Sequence, residues 1–329
     1  MAMKAYTLKF ISLVTTALLC VMAYNYVFDS SGLFNTDFSQ PRVEPNQHFV
    51  KMRYLLANPD KYDAYCFGSS RVGNIDLTKI NNGYRYYNMT YSEGLPHEWL
   101  DDIKILVNHH VQIRQIMLGI DDFSFRVDPA LHESQYLRIP YQENNTKTYL
   151  SYLLKMPSKP AKADEKGSIF DIYASGRPLH PQPDAEIEAD PAKHLADEKF
   201  KKPMLYGGNR VKQTIAELRA IKAICEQNEI KLIVFINPIN LVTYHANNLA
   251  EFSEFKRELA QVTDYYDFSG KNEITDNNYY YYETSHYRPL VGDKIVRRIF
   301  AMPQEADVSF GRWVTKENVE EHLAQLAKK

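Results

Sequence analysis

Short apolar segments alternate with helical patterns along most of the chain. The strand-like segments are YDAYCFG, YRYYNMT, IRQIMLGI, KLIVFINP and DYYDFSG, which begin at residues 62, 84, 113, 231 and 264. In the helical patterns apolar residues recur every three or four positions, as at Val211, Ile215, Leu218 and Ile221. Strands that alternate with helices predict right-handed crossovers and a mostly parallel sheet with helices on both faces. We therefore expect an α/β fold, a three-layer α/β/α sandwich.

Further helices are predicted around the same sheet. One has Pro96 in its first turn and carries Trp99 and Ile103 on its apolar face. Others are predicted near 249–262 and 291–300. The third strand-like segment is apolar throughout, which is typical of a strand that is covered on both faces.

Two regions depart from this alternation. Residues 155–205 are rich in proline and charge, which predicts a partly irregular insertion. The insertion is either a solvated excursion without a role or a lid or acceptor-binding segment. Near the end of the chain, Thr315 is placed to cap a short helix that runs to about Leu326. The predicted divisions are a cytoplasmic end (1–9), a transmembrane anchor (10–28), a stalk and entry segment (29–60), the α/β domain (61–302) and a tail with a short helix (303–329).

The N-terminal segment is the clearest guide to location. From Phe10 to Phe28 there is no charged residue, and the segment is long enough to cross a bilayer. Lys4 and Lys9 precede it and Asp29 follows it, so the positive-inside rule places the N-terminus in the cytoplasm. We expect a single-pass membrane protein whose domain lies outside the cytoplasm. A cleaved signal peptide is the alternative, but its apolar core is usually shorter and no clean cleavage site follows.

Composition narrows the classes of function. The chain has 329 residues, of which 44% are hydrophobic and 24% charged, as in ordinary globular proteins. A formal net charge of -2 gives no indication of a nucleic-acid partner. No cofactor or metal motif is predicted, because the adjacent His109 and His110 face different ways on a helix. Cys66 and Cys225 could pair in an oxidising compartment, but their apolar surroundings favour two buried free thiols.

Reactive residue types follow the predicted strands, at the edge where a parallel sheet gathers its functional groups. Gly68-Ser69-Ser70 follows the first strand and opens a predicted helix, and Glu283-Thr284-Ser285-His286 precedes the last core helix. Serine is a weak nucleophile unless a base removes its proton. His286 can be that base, and Glu283 can hold its other nitrogen. The structural alternatives are that the two serines only cap a helix and that His286 is an ordinary core histidine.

Four marks in sequence order resemble the SGNH/GDSL hydrolase superfamily. They are Gly68-Ser69-Ser70, Gly94 after the second strand, Gly119-Ile120-Asp121-Asp122 after the third, and Glu283-Thr284-Ser285-His286 near the end. The resemblance covers about residues 60–300. It implies that Ser70 is the nucleophile, His286 the base and Glu283 the orienting acid. It also implies that Gly94 and the Ser70 amide stabilise the oxyanion.

Two positions depart from the family pattern. Glu283 replaces the usual aspartate, and serine–histidine–glutamate sets do occur. Asp121 replaces an asparagine that donates a hydrogen bond to the oxyanion. An ionised aspartate cannot donate, so Asp121 is protonated, points elsewhere, or belongs to a site that does not perform ordinary hydrolysis. Ser69 takes a variable slot of the motif, and Arg71 either binds an anionic acceptor or pairs with a nearby carboxylate.

Within the superfamily, the anchor and the GSSR loop most resemble a membrane-anchored group that includes the D-alanyl transfer protein and the alginate O-acetylation proteins. The resemblance implies an acyl-serine intermediate, a polysaccharide or other glycan acceptor, and a membrane-bound O-acyltransferase as partner. An esterase or O-acyltransferase is therefore the first hypothesis. The alternative is an inactive binding or assembly module, which Asp121 favours. The tyrosine run Tyr279 to Tyr282, with Tyr287 beyond, either stacks on a sugar or packs the domain edge.

Overall fold

The computed structural model describes most of the chain. The described residues are 2–29, 32–34, 45–132, 135, 137–157, 169–300 and 309–328. The strands are β1 (Ala64–Phe67), β2 (Tyr86–Asn88), β3 (Gln115–Ile120), β4 (Ile169–Asp171), β5 (Arg177–Leu179), β6 (Lys231–Ile236), β7 (Tyr265–Asp267) and β8 (Arg312–Val314). The α-helices are α1 (Ala2–Phe28), α2 (Gln47–Ala57), α3 (Pro96–Asn108), α4 (Thr146–Leu154), α5 (Pro181–Ala189), α6 (Pro191–Leu195), α7 (Val211–Gln227), α8 (Leu241–Ala246), α9 (Leu249–Ala260), α10 (Pro289–Phe300) and α11 (Val319–Leu326).

A mostly parallel sheet organises the fold, which confirms the predicted α/β class. Six strands of the described chain pair in the order β2-β1-β3-β6-β7-β8. The first five are parallel, and β8 is antiparallel to β7. The edge strand β8 was not predicted, because three residues are too few to show a periodic pattern. The strands β4 and β5 form a separate antiparallel pair within the insertion.

Alternate side chains of the central strand β3 enter two apolar cores. Ile116 and Leu118 pack in a core shared with α2, α3, α7, α9 and α11. Met117 packs in the other core, shared with α10 and with the short turns that follow β1. Because both sides of β3 are covered, all six of its residues are buried.

The loop that carries the two serines packs directly on the strand ends. A Cβ on Gly119 would lie 2.4 Å from Cγ2 of Val72, and a Cβ on Gly68 would lie 2.5 Å from the same atom. Only glycine permits this close approach. The 3-10 turn Val72–Asn74 therefore rests on β1 and β3, and it fixes the backbone next to Ser70.

Two predictions about the regions around the first strand are wrong. The chain after β1 forms 3-10 turns, at Val72–Asn74 and Leu77–Lys79, instead of the expected helix. The residues 47–57 of the predicted stalk form α2, most of which is buried. Their burial follows from apolar side chains such as Phe49 and Met52, which belong to the domain cores.

The insertion and the tail are more ordered than the sequence suggested. Of the insertion, residues 158–168 lie outside the described part of the chain, and the rest contains β4, β5, α5 and α6. In the tail, α11 begins at Val319 and its N-cap is Asn318. Thr315 is not the cap, because its hydroxyl accepts a hydrogen bond from the Glu317 amide in the preceding turn, at 3.2 Å.

The N-terminal helix α1 is long and apolar enough to cross a membrane, and almost all of its surface lies outside the domain core. A helix with these properties fits a membrane anchor or a signal sequence. Near its end, Asn25 Nδ2 donates hydrogen bonds to the carbonyl oxygens of Leu153 and Lys155, both at 2.8 Å. These two carbonyls lie at the C-terminal end of α4, so α1 and α4 are joined.

The two cysteines outside α1 are buried and free, as predicted. Burial raises the pKa of the Cys225 thiol to about 12 and that of Cys66 still further. Both side chains are therefore neutral thiols at neutral pH, which is the state that suits an apolar core.

Candidate functional site

The structure brings Ser70 and His286 together at the carboxyl end of the sheet. They are separated by 216 positions in sequence, and Ser70 Oγ lies 2.8 Å from His286 Nε2. On the far side of the ring, His286 Nδ1 lies 2.5 Å from Glu283 Oε1. A carboxylate beside Nδ1 requires the proton on that nitrogen, so Nε2 is left free to accept one from Ser70.

Glu283 is held in place by its own loop. Its Oε2 accepts a hydrogen bond from the Ser285 amide at 2.6 Å, and its Oε1 accepts one from the His286 amide at 2.9 Å. Burial acts to raise the pKa of Glu283, but the hydrogen bonds and charge of His286 and the two amides outweigh it and lower the pKa. The carboxylate is therefore ionised at neutral pH, as an orienting acid must be.

Ser69 and Ser70 have different environments. Ser69 is fully buried, its hydroxyl accepts a hydrogen bond from the Arg71 amide at 3.2 Å, and its carbonyl accepts from the Val72 amide at 3.1 Å. Ser69 therefore forms the tight turn that leads into Val72–Asn74, and its hydroxyl is used within that turn. Ser70 is half-buried, lines a cavity and contacts His286. A structural role thus describes Ser69, and Ser70 remains available for chemistry.

Arg71 lies in a buried network beneath the site. Its Nη1 donates to Asp121 Oδ1 at 3.0 Å and to Asp122 Oδ1 at 2.6 Å. Its Nε and Nη2 donate to Ser285 Oγ at 3.1 and 3.0 Å. Burial acts to lower the pKa of Arg71, but the charges of Asp122 and Asp121 raise it, so the guanidinium stays charged. Arg71 thus connects the serine loop to the loop after β3 and to the loop of His286. Of the two roles considered for Arg71, these contacts correspond to pairing with nearby carboxylates and not to binding an anionic acceptor.

Asp121 does not face the cavity. It is fully buried, and Oδ1 accepts hydrogen bonds from Arg71 and from Asn237 Nδ2, each at 3.0 Å. Burial raises its pKa, and the charge of Arg71 offsets this only in part. Of the three explanations for the aspartate at this position, the geometry corresponds to a side chain that points elsewhere. Its charge is directed at Arg71 and not at a reacting oxygen.

The expected oxyanion donors are only partly in place. The Ser70 amide has no hydrogen-bond acceptor among the described residues. The Gly94 amide, in contrast, donates to the Tyr91 carbonyl at 3.2 Å, and Gly94 does not line the cavity. A Cβ there would lie 2.6 Å from the Gly68 carbonyl oxygen, so Gly94 serves close packing of two loops. The expectation that Gly94 binds the oxyanion is therefore corrected.

Asn74 is a further donor that sequence reasoning missed. It lies four residues after Ser70, on the same 3-10 turn, and lines the same cavity. Asn74 is almost fully buried and borders the same cavity as Ser70. A carboxamide at the wall of a cavity is a donor of the type that can bind a developing oxyanion. Asn74 lies four residues after Ser70 in the sequence. This spacing indicates a shared site only once the 3-10 turn between the two residues is known.

The cavity beside Ser70 has a volume of about 1190 Å³, which is large for a small-molecule pocket. The sheet side contributes Ser70, Arg71, Asn74 and the loop 90–93. The opposite wall comes from the insertion and includes Phe170, Pro178, His180, Glu186, Ile187 and Lys193. The insertion is therefore part of the site, which favours the lid or acceptor-binding alternative over a solvated excursion.

A clamp holds the insertion against the loop of His286. Arg288, which is buried, donates from Nε to Asp184 Oδ1 at 2.8 Å and from Nη2 to Glu188 Oε1 at 2.5 Å. Asp184 and Glu188 are one turn apart on α5, so both carboxylates face the same way. The spacing of these two acids was visible in the sequence, but nothing in the sequence indicated that Arg288 pairs with both of them.

The tyrosine run mainly supports this clamp. The hydroxyl of Tyr279 donates to Glu188, and that of Tyr282 donates to Asp184 Oδ2 at 2.7 Å. Tyr281 and Tyr287 are fully buried. Only Tyr282 of this group lines the cavity. The packing alternative therefore describes most of the run, and Tyr282 alone is placed to contact a bound molecule.

Comparison with known proteins adds no assignment. The chain matches no protein-family model and has no significant match among curated proteins. What it does must follow from the geometry of Ser70, His286 and Glu283 and from the cavity that surrounds them.

Proposed function

We propose that this chain is a membrane-anchored extracytoplasmic serine esterase or O-acyltransferase that acts on a polysaccharide. The observation that carries the proposal is the hydrogen-bonded series Ser70–His286–Glu283, which has the geometry of an activated serine. The parallel sheet, with the serine after its first strand and the histidine before its last long helix, supports an SGNH-like three-layer fold.

The first half of the reaction follows from the protonation states. Ser70 Oγ attacks the carbonyl carbon of an acyl ester while its proton passes to His286 Nε2. Glu283 stabilises the imidazolium through Nδ1, and the Ser70 amide and the Asn74 carboxamide donate hydrogen bonds to the oxyanion. When the tetrahedral intermediate collapses, the bond to the leaving alcohol breaks and that alcohol takes the proton from Nε2. The acyl group remains as an ester on Ser70.

The second half repeats these steps with an acceptor. A hydroxyl group gives its proton to His286 and attacks the acyl-serine, and Ser70 leaves as it regains the proton. Water as acceptor gives hydrolysis, and a sugar hydroxyl gives transfer. The size of the cavity and its wall from the insertion support an acceptor larger than water. We therefore favour transfer of a short acyl group, such as acetyl, to or from a surface glycan.

The apolar helix α1 supports the location. We propose that it anchors the chain in the inner membrane, with the domain in the periplasm or outside the cell, next to a membrane-bound O-acyltransferase. Protease added to intact spheroplasts should digest the domain. Protection in spheroplasts but digestion after lysis would contradict this orientation.

The direct test of the proposed chemistry is covalent labelling with a fluorophosphonate. The wild type should be labelled and Ser70→Ala should not. Esterase activity of Ser70→Ala should fall about 10⁵–10⁶-fold if serine and histidine act as a unit. Ser69→Ala is the matched control and should retain labelling, because the Ser69 hydroxyl is bonded within its own turn and Ser70 is the serine that contacts His286. Glycan from a Ser70→Ala strain should lose O-acyl groups under transfer and gain them under de-esterification.

A non-catalytic module for glycan binding or assembly is the second candidate. It is favoured by the engaged Gly94 amide and by the carboxylate at position 121, since neither provides the oxyanion donor expected there. Under this alternative the wild type resists the fluorophosphonate, and Ser70→Ala fully restores the phenotype of a deletion strain.

A further inference from the structure

We propose that α4 is a membrane-interface helix, and that its exposed face lies on the lipid headgroups beside the point where α1 leaves the bilayer. This inference rests on the proposed anchor. It adds a second membrane contact, made by the folded domain, and so sets the height of the cavity above the lipid.

The first observation is the position of α4 along α1. Asn25 is three residues from the end of α1 and binds the carbonyl oxygens of Leu153 and Lys155. At 1.5 Å of rise per residue, those carbonyls lie within about 5 Å, along the helix axis, of the point where α1 ends. The C-terminal end of α4 is therefore at interfacial depth whenever α1 spans the bilayer.

The second observation is the exposed surface of α4. Thr148 and Tyr152, four residues apart, form the buried face. Leu150 and Leu154, also four residues apart, are 47% and 43% exposed, and Met156 just beyond the helix is 86% exposed. A short helix with an apolar face directed away from its own domain is typical of interfacial helices. Water is an unfavourable environment for these side chains, and the lipid surface is the nearest apolar phase.

The third observation is a series of aromatic rings that continues from α1 onto the domain. The rings of Tyr26 and Phe34 are 5.3 Å apart, those of Phe34 and Tyr149 are 5.8 Å apart, and those of Tyr149 and Phe49 are 5.6 Å apart. Tyr26 is largely exposed at the end of α1. Aromatic residues concentrate at the membrane–water interface, where their rings lie at headgroup level. The series thus joins α1, α4 and α2 in one interfacial layer.

Charge agrees with a lipid surface. Lys147 is exposed three residues before Leu150, on the same side of α4. A lysine next to an apolar helical face is attracted to anionic lipid headgroups.

The helix α2 connects this layer to the cavity. Its N-cap, Asn46, donates from Nδ2 to the Tyr152 hydroxyl of α4 at 2.8 Å. One turn further, Lys51 Nζ donates to the Thr90 carbonyl at 2.5 Å, and Gln47 and Thr90 both line the cavity. Contact of α4 with lipid therefore fixes the cavity at a constant distance from the membrane, where a membrane-bound partner delivers an acyl group.

The test places a tryptophan on α4 in the full-length chain. Leu154→Trp is reconstituted into vesicles of phosphatidylcholine and phosphatidylglycerol whose acyl chains are brominated near the headgroup end. We expect the added emission, relative to wild type, to fall by about half, because an interfacial side chain lies within roughly 5–10 Å of the bromine. Met156→Trp repeats the measurement outside the helix, in case Leu154→Trp disturbs folding.

Leu195→Trp is the matched control, since Leu195 is 46% exposed on α6, which packs near the tyrosine run. Its emission should be unchanged by bromine. Equal quenching at the control position, or no quenching at 154 and 156, overturns the proposal. Flotation of the vesicles separates the two ideas: a chain that floats without quenching retains the anchor and loses the interface helix, and a chain that does not float loses both.

Discussion

Two aspartates lie at the ends of strands of the same sheet, and their pKa values are shifted in opposite directions. Asp121 follows β3 and Asp267 ends β7, and both are buried. Burial acts to raise the pKa of Asp267, but the charge of Lys256 and the hydrogen bond of His322 outweigh it and lower the pKa well below the usual range. For Asp121, burial prevails over Arg71 and the pKa is raised.

The difference lies in how many donors reach each carboxylate. Asp267 Oδ2 contacts Lys256 Nζ at 2.9 Å and His322 Nε2 at 2.8 Å, and Oδ1 accepts from the hydroxyl of Ser269 at 2.7 Å. Asp121 receives its two donors on Oδ1, and Oδ2 has no hydrogen-bond partner among the described residues.

The two aspartates belong to clusters of different kinds. The cluster around Asp267 is structural, whereas the cluster around Asp121 lies at the candidate site. The donors of Asp267 belong to α9, α11 and the loop after β7, so that cluster holds two helices in place. Arg71 is shared by Asp121 and Asp122 of one loop and by Ser285 of another, so its hydrogen bonds are divided between two loops. Incomplete satisfaction of buried charges is typical of functional regions, where local stability is lower.

The largest expected effect tests this contrast directly. Asp267→Asn leaves Lys256 buried without its counter-charge and should lower the free energy of unfolding by about 3–5 kcal/mol. Asp121→Asn should leave it unchanged or slightly raised, because the folded state disfavours the carboxylate at this position. The measurement is the thermal unfolding midpoint of each full-length variant in detergent.

The two pKa shifts change the free energy of unfolding in opposite directions as the pH falls. The lowered pKa of Asp267 contributes stability above its unfolded value of 3.8, which is lost as the pH falls through the folded value. The raised pKa of Asp121 has the opposite effect, so protonation of Asp121 adds stability as the pH falls. Equal destabilisation by the two asparagine variants would refute the distinction between the clusters.

The second largest effect concerns kcat and the residue Asn74, which lines the cavity. Asn74→Ala should lower kcat about 10²–10³-fold, the usual cost of one oxyanion donor. Asn74→Asp has the same shape but loses the donor, so it should be as slow. Hydrolysis of a small acetyl ester measures both variants, and unchanged unfolding midpoints show that folding is intact. Retention of activity by Asn74→Asp would exclude Asn74 as a donor.

The sequence predicted five of the six strands of the sheet and the approach of Ser70 to His286. The central strand β3 is apolar because both of its faces are covered, and the parallel arrangement brings loops that are distant in sequence to one edge. The sequence was insufficient where a contact depends on side-chain direction. Nothing local in GSSR indicates that the Ser69 hydroxyl bonds within its own turn and that Arg71 turns inward toward Asp121 and Asp122.

The insertion shows the same limit on a larger scale. Proline and charge in residues 155–205 predicted irregular structure, because such composition lacks an apolar face of its own. The described part is ordered by contacts outside itself, through Arg288 and the tyrosine run. A segment whose order depends on a distant partner cannot be recognised from its own composition.

A third charged cluster lies beside the cavity, which it reaches through Glu93. His132 Nδ1 lies 2.7 Å from Glu98 Oε1, and Nε2 lies 3.5 Å from Glu93 Oε2. Burial acts to lower the pKa of His132, but Glu93 and Glu98 outweigh it and raise the pKa to about 9. His132 is therefore charged at neutral pH.

His132→Gln should reduce the free energy of unfolding in a pH-dependent way. A raised histidine pKa contributes its full stability below the ordinary value of 6.5, and the contribution is lost as the pH rises through about 9. The difference between wild type and variant should reach about 1–3 kcal/mol just below pH 6.5 and disappear above the folded pKa. Unfolding midpoints measured across this range test it, and a difference independent of pH would show that His132 is neutral.

The smallest effect concerns the clamp, where one buried arginine meets two acids that are partly exposed. The pair of substitutions Asp184→Asn and Glu188→Gln removes both ion pairs between α5 and Arg288. Because α5 forms the far wall of the cavity, kcat/KM for a glycan-sized acceptor should fall about tenfold, a change of about 1.4 kcal/mol. Hydrolysis of a small acetyl ester, which does not reach that wall, should keep its kcat.

Glu320→Gln is the matched control, since Glu320 pairs with Arg257 on the exposed surface far from the cavity and such pairs contribute little. An equal loss with both substrates would mean that the clamp supports His286 itself and not the acceptor wall.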